Sequence, residues 1–114
     1  MPATPDLTLK AHDTYPNLKA VLSDSNGAIP LTGATQVKLI MKGTTAPSPA
    51  LVSGAMSIAS AAGGYVTYQW APGDTAVPDT YNVEFEIAWQ AGGIETVPND
   101  VYRTVKIVQD LNNA

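Results

Sequence analysis

Residues 81–89 alternate without a fault. Tyr81, Val83, Phe85, Ile87 and Trp89 fall on one phase, and Asn82, Glu84, Glu86 and Ala88 on the other. Successive side chains of a strand point to opposite faces, so a period of two marks a half-buried β-strand. A helix would scatter Glu84 and Glu86 among the large apolar groups. This stretch is therefore expected to lie near the centre of a sheet, with its aromatic and branched side chains turned toward a second layer.

Other segments repeat the pattern less strongly. Leu7 and Leu9 alternate with Thr8 and Lys10, which predicts a short edge strand. Pro16 interrupts; Leu18, Ala20 and Leu22 then alternate with Lys19, Val21 and Ser23. Asp24-Ser25-Asn26-Gly27 is a hairpin turn, because Asn-Gly readily supplies left-handed backbone. Residues 29–35 read as a short extended crossing. Val37, Leu39 and Met41 form the next buried phase, with Ile40 predicting partial cover on the outer face. Gly43 to Pro49 is a loop. Val52, Met56 and Ile58 can share a face within residues 50–62, but Ala, Ser and Gly make up most of the rest. Gly63-Gly64 turns the chain into a strand carrying Val66, Tyr68 and Trp70. Residues 71–75 turn again before the central strand. Ile94 to Val97 is a short return after Gly92-Gly93, and Tyr102 to Gln109 is the last strand.

Seven to nine short strands with turns every 8–12 residues, and no helical stretch, predict an antiparallel β-sandwich. Tyr81 sharpens this to an immunoglobulin-like one. It follows a Pro78-Asp79-Thr80 corner and stands two residues before the inward Val83. In such folds a tyrosine there returns its hydroxyl to backbone at the corner. The expected organisation is a flexible arm over residues 1–6, one sandwich over 7–109 and a polar tail over 110–114.

Composition removes several kinds of function. The 114 residues include no cysteine, so disulfides, thiolate metal sites and cysteine nucleophiles are excluded. The net charge is −4 with six scattered Lys and Arg, a poor match to a phosphate backbone, and nucleic acid is not an expected partner. No apolar run approaches the roughly 20 residues of a membrane span. The first residues, Met1-Pro2-Ala3-Thr4-Pro5-Asp6, lack the charged and apolar regions of a secretory signal. The lack of cysteine fits synthesis in a reducing cytoplasm.

Candidate chemistry is sparse. His12, the one histidine, stands beside Asp13 with no triad or metal-ligand spacing around it, and reads as a solvated loop residue. Asp24-Ser25-Asn26-Gly27 begins like a calcium loop, but no acidic residue follows to close the coordination. Asp74 and Asp79 flank a turn and either share a cation or accept backbone N–H bonds. Glu84 and Glu86 evoke a glycosidase pair, yet two carboxylates on one strand face more simply mark its outer side, opposite Lys38 or Lys106. Of the aromatics, Tyr65 and Tyr102 look outward, a thin basis for a sugar-stacking platform. No catalytic, cofactor or metal residue is expected. The uncharged stretch Ala50–Gly64 reads either as a plain β-segment or as one that lies flat against a neighbour.

The landmark order resembles the immunoglobulin-like domain at the N-terminus of phage baseplate upper proteins, and kindred small phage head and tail proteins. The matching features are Asn26-Gly27-x-x-Pro30-Leu31-Thr32-Gly33-Ala34-Thr35 and the strand from Val37 to Met41. They continue with Gly64-x-Val66-x-Tyr68-x-Trp70, Asp74-Thr75, and Tyr81-x-Val83-x-Phe85-x-Ile87. Ile94-x-Thr96-x-Pro98 and Val105-x-Ile107 close the series, which spans residues of about 17–109. The resemblance implies a non-enzymatic structural protein of the virion. A chain of one such domain implies a capsid decoration protein, a connector or a tail or baseplate subunit. Its partners would be other virion proteins or further copies of itself. The alternative is a carbohydrate or cell-surface binding module.

Overall fold

The computed structural model describes residues 7–45, 51–97, 103–109 and 111. The expected N-terminal arm, the 46–49 part of the loop, Tyr102 and almost all of the polar tail lie outside them. Among these residues eleven extended segments follow one another: β1 (Leu7–Lys10), β2 (Leu18–Val21), β3 (Ser23–Asp24), β4 (Gly27–Ala28), β5 (Ala34–Gly43), β6 (Leu51–Ala55), β7 (Ser57–Ser60), β8 (Tyr65–Tyr68), β9 (Asp79–Trp89), β10 (Ile94–Val97) and β11 (Arg103–Val108). There is no α-helix among the described residues. The count exceeds seven to nine because β3 and β4 are two-residue arms of one hairpin, and because the chain between 51 and 60 breaks at Met56.

The larger sheet runs β1-β11-β9-β5-β6, and the smaller β2-β8-β7. β5 covers one flank of β9 along nearly its whole length, from Gly43 opposite Tyr81 to Ala34 opposite Trp89. The other flank is shared: β11 pairs with residues 79–83 and β10 with residues 85–88, so the two lie end to end. β1 joins the outside of β11 in parallel, Leu7 opposite Val105 and Lys10 opposite Val108. Every other pairing is antiparallel.

Both sheets contribute to one apolar core, an arrangement consistent with a β-sandwich. Val37, Leu39, Met41, Tyr81, Val83, Phe85, Ile87, Val105 and Ile107 from the larger sheet meet Leu18, Val66 and Tyr68 from the smaller. Phe85 is 4% exposed and Ile87 is fully covered, so the phase that the alternation assigned to the interior is inside. Burying a side chain of this size stabilises by about 1.5–3 kcal/mol. Val52 and Met56 are also buried and Ile58 packs against the core. Thus the uncertain segment does present one face inward. β6 pairs with β5 in the larger sheet while β7 pairs with β8 in the smaller. Between them, at Met56, the chain crosses from one layer to the other.

Turn chemistry follows the sequence with one adjustment. At the β3–β4 hairpin Asp24 Oδ1 accepts the Asn26 N–H at 2.8 Å, and only Gly27 is left-handed, at φ 109°. The Asn-Gly pair therefore supplies one such position, not two. Gly64 shows a stricter need. Its φ is +67°, and a Cβ there would stand 2.7 Å from the Ile29 carbonyl oxygen and 2.8 Å from that of Leu22. Its own carbonyl accepts the Leu22 N–H at 2.8 Å. The turn into β8 thus closes against the chain leaving β2, and only glycine fits.

Candidate functional site

Asp74 and Asp79 each accept several hydrogen bonds. Asp74 Oδ2 accepts the Tyr68 hydroxyl at 2.6 Å and the Ala71 N–H at 2.8 Å. Burial first, then the bond to Asp74 and its charge, push the Tyr68 phenol up to about 12. Asp79 is occupied separately. Its Oδ1 accepts the Thr45 hydroxyl at 2.7 Å and the Thr80 N–H at 2.7 Å, and its Oδ2 accepts the N–H groups of Thr44 and Thr45. Burial alone would raise that carboxyl, but the hydrogen bonds from Thr45, Thr80 and Thr44 outweigh it and hold it below its ordinary value. Each aspartate has its own donor set, the turn-stabilising alternative of the two weighed above. No group of three or more His, Asp or Glu suited to a metal occurs among the described residues.

Tyr81 sends its hydroxyl to the Val77 carbonyl at 2.6 Å, four residues upstream. This is the corner contact that its place at the head of β9 predicted. Burial, then the charge of Asp79, raise its ionisation above the ordinary value. His12 is exposed and left-handed at φ 74°, and its N–H donates to the Thr75 carbonyl at 3.0 Å. Its part is in the backbone. That contact begins a seam that the sequence did not advertise. The buried Thr75 hydroxyl donates to the Asp13 carbonyl at 2.8 Å, and Trp70 Nε1 to the Pro16 carbonyl at 2.9 Å. Gln69 Nε2 donates to the Thr14 carbonyl at 3.0 Å. The 69–75 turn is thereby stitched to the 12–16 loop. Donors and acceptors more than 50 residues apart carry no local signal, which is why the seam was missed.

Glu86 stands opposite Lys38 across the β5–β9 ladder, as one of the two expected lysines. Glu84 faces Ile40 instead, and Lys106 faces Thr80. The pairing expected with Lys106 does not form because β11 meets only the first half of β9. Among the aromatics, Tyr68, Trp70, Tyr81 and Phe85 are buried. Tyr65 is half-buried, and Trp89 is partly covered with its Nε1 donating to Glu95 Oε1 at 3.1 Å. Among the described tyrosines the most exposed is Tyr15, at 80%, on the loop before β2.

Among the described residues, two surface features are open to contact. A groove of about 240 Å³ opens between the β2 edge and the β9–β11 pair, floored by Leu18, Ala20, Val83, Phe85 and Val105. The second is the set of open strand edges. Among the described residues β1, β6 and the outer side of β10 bound the larger sheet, and β2 and β7 the smaller. An edge presents unpaired N–H and C=O groups and is a ready template for another extended chain. β1 carries Lys10 and β2 carries Lys19, the kind of charge that guards an edge; the ribbon formed by β6 and β7 carries none.

The described residues form an all-β fold consistent with a β-sandwich, with open strand edges. No protein-family model and no curated protein sequence matches this chain.

Proposed function

We propose that this chain is a non-enzymatic structural protein of a phage particle, an immunoglobulin-like sandwich that acts by docking on other virion proteins. The immunoglobulin-like reading is supported by the strand neighbours. β11, β9 and β5 lie side by side as the G, F and C strands of such a sandwich do, with β2 and β8 facing them as B and E. The Tyr81 corner belongs to the same pattern. The virion reading rests on the resemblance, whose residues have structural work to do. Gly64 closes on the Leu22 and Ile29 carbonyls, Tyr68 and Trp70 hold turns by their polar ends, and Asp74 and Thr75 are the acceptor and donor of those turns.

The observation that carries the docking half is the open edges, which offer backbone pairing to a neighbour by strand addition. The protein is made in the host cytoplasm on this reading and ends in the particle, on the capsid, at a connector or in the tail. Mass spectrometry of purified particles tests it, with the chain expected at stoichiometric copy number and its absence overturning the assignment. Deleting residues 2–6 tests a second expectation, that the N-terminal arm reaches a neighbour; undiminished occupancy would count against that arm. Glycan-array binding that is lost in Tyr65→Ala would point to the carbohydrate-binding alternative.

A further inference from the structure

We infer that the open edge of β6 pairs with β6 of a second copy, antiparallel about a two-fold axis through Ser53. The β5–β6 ladder fixes which backbone groups of β6 face outward. Met56 donates its N–H to the Val37 carbonyl at 2.8 Å, opposite it across the β5–β6 ladder. In an antiparallel ladder, bonded and non-bonded pairs alternate. Stepping back along β6 in the observed register, Val52 and Gly54 therefore turn their polar groups to β5. Leu51, Ser53 and Ala55 turn theirs to the open side. Their side chains share the outer face, since Val52 is buried while Leu51, Ser53 and Ala55 are exposed.

Register follows from two requirements. The apolar faces of both copies must stay on the same side, and the five residues Leu51–Ala55 must overlap fully. Only pairing centred on Ser53 meets both. It sets Leu51 against Ala55 of the second copy, Val52 against Gly54, and Ser53 against itself. Each large side chain meets a small one, and the outward N–H and C=O groups of Leu51, Ser53 and Ala55 find partners. Gly54 has a reason of its own to be small: a Cβ there would come within 2.8 Å of the Tyr68 ring. Charge agrees. The chain carries a net charge of −4, yet this strand has no charged residue, so two copies meet here without like charges opposed. Leu51, now 63% exposed, gains cover.

A ladder of five residues buries less than the roughly 1,200–2,000 Å² of a standard stable interface. The pairing is therefore weak in free solution, with a dissociation constant between about 10 μM and 1 mM. Copies held side by side in an assembly meet at effective concentrations in about the millimolar range and pair readily. The inference does not depend on the phage assignment: the dimer is read in purified protein, the assignment in particles.

Sedimentation of the full chain up to about 1 mM is expected to show a monomer passing to a dimer. Ser53→Lys and Ser53→Glu, which place like charges opposite each other, should each weaken the dimer at least tenfold, and their equimolar mixture should restore it as a heterodimer. Lys19→Glu on the β2 edge should leave it unchanged. A wild-type chain that stays monomeric overturns the inference, as does a dimer that survives Ser53→Lys. Were the Ser53 variants unfolded by circular dichroism, amide exchange of the wild type decides. The Leu51, Ser53 and Ala55 amides should gain protection with rising concentration, and concentration-independent exchange overturns the pairing.

Discussion

The β5–β9 pair and the β6–β7 ribbon are built on opposite terms. In the first, large branched and aromatic side chains alternate with polar ones, and the buried members are nearly inaccessible. The side chains themselves dictate which face is inside. In the second, most residues are small, only Val52, Met56 and Ile58 turn inward, and position is dictated by what the backbone touches: β5 on one side, β8 on another, the Tyr68 ring above Gly54. A strand can thus be fixed by its own pattern or by its neighbours. The second kind keeps an edge available for use.

The contrast can be broken hardest at the centre. Ile87→Ala should cost about 4 kcal/mol of unfolding free energy, since the site is fully covered and the surrounding strands cannot collapse into the cavity. Urea denaturation measures it. Gly64→Ala, at the turn that ends the ribbon, should cost about 3 kcal/mol by the same measurement. The left-handed backbone and two carbonyl oxygens both oppose a Cβ there. Its loss would show that the ribbon depends on close backbone approach.

The third test is alkaline. The Tyr68 phenol ionises near 12 in the fold against 10 unfolded. The fold thus favours its neutral form, and that contribution is complete below pH 10 and is lost as pH rises through about 12. Tyr68→Phe should flatten the fall in stability over that window, followed by thermal melts at stepped pH. At the acid end the sign reverses. Asp79 is depressed in the fold, so its contribution is present at neutral pH and disappears as pH falls below its ordinary value. Asp79→Asn should remove about 1 kcal/mol at pH 7, reduced from the usual charged hydrogen-bond value by solvent screening, and less at pH 3. A last substitution sharpens the comparison. Ile58→Ala in β7 removes the same atoms as Ile87→Ala, but from a half-covered site, and should cost about 1 kcal/mol.

How far the sequence could be read follows the same division. The phase of residues 81–87, the strand through Leu39 and the Asn26-Gly27 turn were plain, because each rests on alternation or on a residue with a special backbone. The Tyr81 contact was also legible, as its partner lies four residues away. The break at Met56 was not, since nothing in Leu-Val-Ser-Gly-Ala-Met-Ser-Ile-Ala-Ser says that its halves join different sheets. Nor was the Thr75–Asp13 seam, or the partial reach of β11 along β9 that leaves Lys106 opposite Thr80. Those are decided by which strands meet, and small or polar residues leave that to the whole fold. The candidate surface was half visible. The lack of charge in residues 50–64 could be seen, but only the strand order reveals that they border both sheets.

The parallel partnership of β1 with β11 sets how the molecule takes tension. Leu7 and Val108 sit at opposite ends of that pair, with four rungs between them. Pulling the chain outward at those two points drags the strands past each other lengthwise, straining every rung together. A hairpin drawn from its open end parts one rung at a time and yields to a smaller force. Traction along the chain therefore meets the stiff direction of this sheet, while a pull across it would peel β1 away first.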